Sequence, residues 1–511
     1  MFSYWSATLF VLALVLSRYV YHRVLCSRKL PLPPGPPTLP VLGHLFELVG
    51  DAPWKHFASL AETYGDVMHF TAFGQNIVVL SSLEAISDLF EERHVTYSDR
   101  VTSTMFDDIM RLGWIFALWD YGDSWRSARK LFHAHFSANA TREYLPTSSR
   151  KIASFLRNLR DDPEHFMMHC RHVVAFVALE MIYGLEITNE NDEMLVAAEN
   201  WLEGFNEAGQ PCRFLVDFIP ILKYVPMWLP GAEFKRLGEF WRVNAEKIRT
   251  DAFSRVKESL EGGTATPCIA LSMLERLQVE DDSANEESEV LVQDTCATAY
   301  SAAVDATTAV LQVFFLAMAM HPEVQKEARN QLDAVIGQLR LPTSDDRRYL
   351  PYIEAILEET LRWQPAAPIS LPRRTAKDDV YQGYVIPKGS VVIPNSWKIL
   401  RDPIAYAEPE EFKPERFLRP DGSLNPDIRD PKTTIFGVCP GADFASTFLF
   451  HTMACVLHAF EISPLPGDNG LPVRLQPVMH ERFATAPEPF HCQISTRSEG
   501  IERLIHVEEH S

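Results

Sequence analysis

The longest uninterrupted apolar pattern in the chain covers residues 288–320 and ends at His321-Pro322. Apolar residues surround almost the whole helical circumference over residues 297–320, which is typical of a buried helix. At a rise of about 1.5 Å per residue, this helix would be about 50 Å long. We therefore expect it to run through the centre of the body of the protein.

Shorter helical patterns lie on both sides of this segment. Apolar residues recur at spacings of three and four through residues 143–260, a stretch that prolines interrupt at four positions. The interrupting residues are Pro211, Pro220, Pro226 and Pro230. Further helices are predicted over residues 323–339, 352–363 and 444–462, and a surface loop over residues 262–267.

Strand patterns are short and few. Residues 74–82 predict one strand of a small sheet, and residues 380–394 alternate around Gly383 and Pro387-Lys388-Gly389, as strands and turns do. No internal repeat is visible. The patterns together predict a fold that is mainly α with a minor β part.

The N-terminus has the pattern of a membrane anchor. Residues 1–17 carry no charge, and this length is at the lower limit for a membrane-spanning helix. Basic residues follow at Arg18, His22, Arg23, Arg28 and Lys29, which favours a cytosolic location for the rest of the chain. Because no positive charge precedes the apolar run and no small-residue cleavage site follows it, an anchor is favoured over a cleaved signal peptide. Residues 18–40 then form a basic, proline-rich hinge, and residues 41–511 a single large body.

Composition restricts the possible partners. Hydrophobic residues make up 46% of the 511 residues and charged residues 23%, as in globular proteins. The formal net charge of -20 argues against a nucleic acid partner, because such a chain repels phosphate. The eight cysteines are scattered without paired spacing, so a disulfide framework is not expected.

Three features suggest chemistry. Cys439 precedes Pro440-Gly441 and a predicted helix, whose N–H groups and dipole favour a thiolate that could ligate a metal; the alternative is a buried structural cysteine. Glu359 and Arg362 are three residues apart and can pair, either functionally or as an ordinary surface pair. Asp305 lies in the apolar central helix, where a carboxylate is costly unless it is paired or functional.

These features belong to an ordered series of motifs. The series consists of Trp125-Arg126-Ser127-Ala128-Arg129, Asp305, Glu359-Thr360-Leu361-Arg362, Pro414-Glu415-Arg416-Phe417 and Phe436-Gly437-Val438-Cys439-Pro440-Gly441. In this order and over nearly the whole length, the chain resembles the cytochrome P450 family. It is most similar to the microsomal-type enzymes that fungi use in secondary metabolism.

The resemblance implies a cytochrome P450 fold, with heme b between the long central helix and the cysteine loop. Cys439 would be the axial thiolate on the heme iron, a ligation that in this family favours O–O cleavage. The resemblance also implies that Glu359, Arg362 and Arg416 form a structural cluster near the heme. Trp125, Arg129 and Arg374 would contact the heme propionates, and Phe436 and Gly441 would also belong to the cofactor site. Asp305 and Thr307 would deliver protons to the distal side.

The implied reaction is a monooxygenation of a lipophilic small molecule, a terpenoid or polyketide, by O2. NADPH would supply electrons through the NADPH-cytochrome P450 reductase. The implied location is the endoplasmic reticulum membrane, with one membrane span and a cytosolic catalytic domain over residues 41–511. Residues 102–118, 300–304 and 366–371 are apolar or small and would line the substrate pocket.

Two positions depart from the family pattern. The family has Phe-x-x-Gly-x-Arg-x-Cys-x-Gly around the ligand, whereas Phe436 lies only three residues before Cys439. Four residues, including an arginine that contacts a propionate, are therefore missing, either as a genuine variant or through a misplaced exon boundary. Ala306 stands where the family has its alcohol, and Thr307 or water would take that role. Two alternatives thus stay open: a P450-like protein with impaired catalysis, and a heme-thiolate isomerase or dehydratase that does not use O2.

Overall fold

A computed structural model describes residues 30–50, 52–187, 192–210, 213–280, 286–437, 439–467, 472–480 and 482–507. The predicted anchor at residues 1–17 and part of the hinge lie outside these ranges. Within them, Pro163–Tyr183 and Glu287–Met320 are long and apolar enough to cross a membrane. Both are largely buried, at 72% and 78%, as the core helices of a globular body are.

The chain divides into two compact units. One consists of the residues up to 101 together with 371–395, and the other of residues 102–370 together with those from 396 onward. The first unit contains most of the β-structure, and the second is almost entirely helical.

The first unit is built around a five-stranded sheet in the order β1-β2-β7-β4-β3. Strands β2 and β7 are parallel, and the other neighbours are antiparallel. A separate hairpin pairs β5 with β6 through Gln382 and Gly383, which both have positive φ, as a two-residue hairpin turn requires. The elements are α1 (Leu45–Leu48), α2 (Pro53–Tyr64), β1 (Val67–Ala72), β2 (Gln75–Leu80), α3 (Leu83–Ser87), α4 (His94–Tyr97), β3 (Asp99–Arg100), β4 (Arg373–Arg374), β5 (Asp379–Tyr381), β6 (Tyr384–Ile386) and β7 (Val391–Pro394).

The second unit packs helices around one long, buried helix, α12. The helices are α5 (Asp123–Phe136), α6 (Leu145–Asp161), α7 (Phe166–Tyr183), α8 (Glu193–Ala208), α9 (Glu233–Glu246), α10 (Ala252–Glu261), α11 (Ile269–Glu280), α12 (Glu286–Met320), α13 (Pro322–Val335), α14 (Pro351–Trp363), α15 (Ser396–Ile399), α16 (Pro431–Ile435), α17 (Ala442–Ala459) and α18 (Glu499–Val507). Strands β8 (Phe460–Pro464) and β9 (Cys492–Thr496) form a small antiparallel pair. Phe314 and Phe315 of α12 are fully buried in the core that α7 and α17 share with it.

Most predicted elements are confirmed, and two helix ends are wrong. Helix α12 matches the helix predicted over 288–320 almost residue for residue, and β2 lies within the strand predicted over 74–82. The helix predicted over 444–462 ends at Ala459, because Phe460 and the following residues pair with β9 instead. The helix predicted over 323–339 ends at Val335, two residues before Gly337, whose φ of 71° lies in the left-handed region.

Candidate active site

Cys439 lies in a tight turn between helices α16 and α17. The Asp430 side chain caps α16 by accepting a hydrogen bond from the Lys432 backbone N–H at 2.8 Å, and Pro431 begins the helix. The helix ends at Ile435, and the Cys439 backbone N–H donates to the Phe436 carbonyl oxygen at 2.6 Å. Helix α17 begins at Ala442, so Cys439 is held directly before a helix N-terminus.

Within the described residues, Cys439 is the exposed cysteine, whereas Cys170, Cys268, Cys296, Cys455 and Cys492 are buried. Solvent reaches part of the Cys439 side chain, but many protein atoms lie around its sulfur. The resulting desolvation of the sulfur raises the pKa of the Cys439 thiol above its usual value. A hydrogen bond from the backbone of Gly441 and the positive charge of Arg129 oppose that rise. These two contacts would stabilise a thiolate at this position.

Helix α5 supplies the cation beside Cys439. The Arg129 guanidinium carbon lies 5.9 Å from the centre of the Trp125 ring, and both side chains are half-buried. Burial lowers the pKa of Arg129, and the nearby Cys439 acts in the opposite direction. Phe436, also half-buried, packs against the core at the start of the cysteine turn. These side chains fit a heme, which needs an iron ligand, partners for its propionates and apolar contacts. The Cys439 thiol could be the ligand, the Arg129 guanidinium and the Trp125 indole N–H could bind a propionate, and the Phe436 ring could supply apolar contact.

Arg374, the third predicted propionate partner, belongs to the sheet unit. It lies on β4 opposite Asp99 of β3, next to Arg373, which is opposite Arg100. Arg100 was not singled out in the sequence. Its Nη1 donates to the carbonyl oxygens of Leu371 at 3.1 Å and Pro372 at 3.4 Å, and burial lowers its pKa to about 9, with Arg373 adding to the effect.

Asp305 of the central helix is paired. Its Oδ1 lies 3.3 Å from Nη1 of Arg171 on α7, and the Asn206 side-chain amide on α8 donates a hydrogen bond to its other oxygen. Burial raises the pKa of Asp305, while Arg171 and Asn206 oppose the rise. No local sequence pattern indicates these partners, because they lie on two other helices.

Asp305 faces a cavity of about 180 Å³, whose lining also includes Thr308, Gln312 and His480. Thr307 does not line this cavity. Because an α-helix turns once in about 3.6 residues, a residue two positions after Asp305 lies on nearly the opposite face, whereas Thr308 lies on the same face. The structure therefore brings Thr308 to the side of Asp305 and leaves Thr307 on another side of α12.

Glu359, Arg362 and Arg416 form one buried cluster. Arg362 binds Glu359 through Nε at 2.7 Å and Nη2 at 2.9 Å, and both side chains are 0% exposed. Nε of Arg416 lies 3.2 Å from Glu359. Arg362 also donates to the carbonyl oxygens of Leu400, Pro409 and Glu411, so the cluster fastens the chain over residues 400–416 to α14.

A second charged cluster was missed in the sequence. Glu354 and Glu358, one and two turns along α14, both contact Nζ of Lys432, at 2.7 Å and 2.5 Å. Arg347 binds Glu354 from the other side at 2.7 Å. The signal that could have found this cluster is the acidity of α14 itself, because buried carboxylates on a core helix require cationic partners.

Burial raises the pKa of Glu358 to about 8, and the neighbouring charges of Asp430 and Glu354 add to this, although Lys432 opposes it. The folded protein therefore binds this proton more tightly than the unfolded chain does, and stability is lost as pH rises from about 4.5 toward about 8. We expect Glu358→Gln to be more stable than the wild type at pH 9, by at most about 5 kcal/mol, and nearly equal at pH 5. Thermal unfolding at both pH values measures this difference. The exposed residue Glu164 provides the control, since Glu164→Gln is expected to leave the pH dependence unchanged, and the same pH dependence in Glu358→Gln as in the wild type would contradict the assignment.

Comparison with known proteins gives one consistent result. The family model "Cytochrome P450" matches residues 33–493. The chain is 39% identical to the cytochrome P450 monooxygenase COX2 of Coprinopsis cinerea, over 93% of this chain and 91% of that protein. It is 36% identical to the cytochrome P450 monooxygenase COX1 of the same fungus, over 97% of each chain. It is also 35% identical to the tryptamine 4-monooxygenase of Psilocybe cyanescens, over 97% of this chain and 99% of that protein.

Proposed function

Because the chain belongs to the cytochrome P450 family and is a monooxygenase with heme as its cofactor, we propose that Cys439 is the axial ligand of the heme iron and that the substrate is a lipophilic small molecule. The observation that carries the proposal is the position of Cys439. It is the exposed cysteine of the described ranges, it precedes a helix N-terminus, and it has a backbone N–H and a guanidinium beside its sulfur.

When bound, the heme supplies the redox chemistry of O2, and its iron keeps a coordinating thiol deprotonated. The protein supplies the surroundings of that thiolate. The Gly441 N–H and Arg129 stabilise negative charge on Cys439, and Trp125 and Arg129 would bind a propionate. Arg374, on β4 of the sheet unit, stays the third predicted propionate partner.

The test of ligation is the carbon monoxide difference spectrum of the reduced protein. A strongly red-shifted Soret band is expected, because a thiolate at Cys439 donates electron density to the iron. A band typical of a neutral axial ligand, or no bound heme, would contradict the proposal. That outcome would favour the alternative of an impaired P450-like protein, and restoring four residues before Cys439 would show whether the short turn is responsible.

An aromatic cluster supports a lipophilic substrate. Phe106 stacks on Phe205 with ring centres 5.2 Å apart, and Trp201 and Phe483 contact Phe205 edge-on. Phe106 lies within the predicted lining at 102–118, and Trp201 donates from Nε1 to Ser301, at 3.0 Å, within the lining at 300–304. The cluster makes the region of the predicted lining apolar, which would favour terpenoids or polyketides over sugars and nucleotides. A substrate screen that found turnover of charged, hydrophilic compounds alone would contradict this assignment.

Proton delivery is assigned to Asp305 and the cavity it faces. A carboxyl whose pKa is raised by burial and which contacts a polar cavity can exchange protons with water there. We expect Asp305→Asn to lower product formation by about 10²-fold or more, while NADPH and O2 are still consumed. If water takes the role of the missing alcohol, Thr307→Ala will keep most product formation. Equal loss in both variants would restore Thr307 to the relay, and unchanged product formation in Asp305→Asn would contradict the role of Asp305.

Electrons are proposed to come from NADPH through the membrane-bound NADPH-cytochrome P450 reductase. A monooxygenase requires reductant together with O2, whereas the alternative isomerase or dehydratase requires neither. Turnover with NADPH, reductase and O2 therefore supports the proposal. Turnover of a hydroperoxide in the absence of NADPH and O2 would favour the alternative, provided that no other substrate is turned over when NADPH, reductase and O2 are supplied.

The proposed location is the endoplasmic reticulum membrane, with residues 1–17 as a single span and the body in the cytosol. The anchor pattern of the sequence supports this location. An exposed apolar surface adds support, because Trp228 is 78% exposed, Tyr224 74% and Ile221 70%, and such a patch is suited to contact with lipid. Fractionation of cells that express the full chain and a variant lacking residues 1–17 tests the anchor.

A further inference from the structure

A single buried carboxylate connects the two sides of the cysteine turn. Lys432 lies seven residues before Cys439, and Ser446 lies seven residues after it. Lys432 binds Glu354 directly, with Nζ 2.7 Å from Oε1. On the other side, Arg347 binds Glu354 at 2.7 Å and donates from Nη2 to the Ser446 hydroxyl at 2.8 Å. The helices that flank Cys439 are therefore fastened to each other through α14.

The carboxylates of this connection are buried. Glu354 is 6% exposed and Glu358 8%, and burial of such groups is costly unless they are paired. Although burial opposes the shifts, Lys432 and Arg347 lower the pKa of Glu354, and the two glutamates raise the pKa of Lys432. Removal of Lys432 would leave the buried Glu354 carboxylate with Arg347 as its one cationic partner among the described residues, so the pair of Lys432 and Glu354 favours one geometry.

Both supports of this connection are themselves held by further contacts. Arg347 lies on the short helix Ser344–Tyr349, which begins with a capping box between Thr343 and Asp346. Asp346 is in turn bound by Arg340 through two hydrogen bonds of 2.7 Å and 2.8 Å. Helix α14 carries Glu354, Glu358 and Arg362 at spacings of four, so the face that binds Lys432 continues into the buried Arg362 cluster.

We propose that Lys432 is a positioning residue for Cys439, and that it fixes the start of the short turn by binding Glu354 and Glu358. The proposal rests on the proposed ligation of heme by Cys439. The turn has four residues fewer than the family pattern. The anchors on each side therefore determine where the thiolate lies, as partners of metal ligands do in general.

The experiment compares Lys432→Met, Lys432→Arg and Glu354→Gln with the wild type in the full-length protein. Lys151→Met is the matched control, because Lys151 is a buried lysine that binds Glu180 at 2.9 Å on helices α6 and α7 and has no bond to the cysteine turn among the described residues. Three quantities are measured: the affinity for heme, the fraction of heme that gives the thiolate spectrum with carbon monoxide, and the rate at which iodoacetamide alkylates Cys439 in heme-free protein.

We expect Lys432→Met to weaken heme binding by about 10-fold to 100-fold, to lower the thiolate fraction and to speed alkylation of Cys439. Lys432→Arg should restore all three quantities, since arginine also binds two carboxylates. In the background of Glu354→Gln, Lys432→Met should have a smaller effect than alone, because the partner is already neutral. Lys151→Met should lower thermal stability without changing the thiolate fraction.

Two outcomes would overturn the proposal. Equal changes in the thiolate fraction for Lys432→Met and Lys151→Met would show a general effect of lost stability. Unchanged heme affinity, spectrum and alkylation in Lys432→Met would show that the turn is positioned without Lys432. If the wild type itself lacks the thiolate spectrum, ligation by Cys439 fails and the positioning role fails with it. The wild-type spectrum alone shows this third outcome, whereas the first two outcomes are seen in the variants.

Discussion

Cys439→Ser is expected to abolish the thiolate spectrum and to reduce monooxygenase turnover to the uncatalysed background, a loss of at least about 10⁶-fold. A serine hydroxyl does not donate electron density to iron as a thiolate does, so the variant would lack the proposed thiolate ligand, on which O–O cleavage depends in this family. The substitution is nearly isosteric and the site is accessible, so the fold itself should be retained. The reduced carbon monoxide spectrum, heme content and turnover with NADPH and O2 measure the result.

A matched cysteine substitution separates ligation from general damage. Cys268 is buried in the helical unit and does not neighbour Cys439 in the chain. We expect Cys268→Ala to keep the thiolate spectrum, even if its thermal stability falls by a few degrees. Retention of that spectrum in Cys439→Ser would show that another residue ligates the iron.

Disruption of the buried pair between Glu359 and Arg362 is expected to have the largest effect on folding. Both side chains are 0% exposed, and Arg362 holds three carbonyl oxygens besides the carboxylate. Glu359→Gln or Arg362→Met leaves an uncompensated buried charge, at a cost of about 3–5 kcal/mol. This is a large part of the stability of a typical domain, so little soluble holoprotein should accumulate.

Thermal unfolding and the yield of soluble heme protein measure this effect. The control is the exposed pair of Asp123 and Arg126 on α5, with side-chain exposures of 94% and 53%. Asp123→Asn should change stability by less than about 1 kcal/mol, because solvent screens such pairs. A similarly small change for Glu359→Gln would show that Arg416 and the backbone contacts alone hold this part of the chain.

The sequence was sufficient for those parts of the fold that depend on local pattern. The apolar circumference of residues 297–320 predicted α12, and the alternation over residues 380–394 predicted strands and turns where β5, β6 and β7 lie. The end of α17 could not be predicted, because Phe460 and Ile462 are apolar in either structure. Their pairing with β9, about 30 residues later, decides between helix and strand.

The same distinction applies to the site. Cys439 and the Glu359–Arg362 pair were visible because they form local motifs, and the structure places the latter in a buried cluster with Arg416. The partners of Asp305 were not visible, since Asn206 is 99 positions away and each polar residue alone resembles a surface residue. Lys432 was missed for the same reason, because Glu354 lies 78 positions before it. Long-range ion pairs have no local sequence pattern, so the pairs proposed to orient Cys439 had to be found in the structure.

The parallel pairing of β2 with β7 also has a consequence for biosynthesis. Gln75, at the start of β2, donates a side-chain hydrogen bond to Gly389, and 314 positions separate the two residues. At translation rates of about 5–20 residues per second, the ribosome makes β2 roughly 15–60 s before β7. During that interval Val78, Val79 and Leu80 have β1 on one side but no partner on the edge that β7 will cover. The nascent chain therefore exposes an apolar strand edge that chaperones must protect from aggregation until residue 394 has left the ribosome.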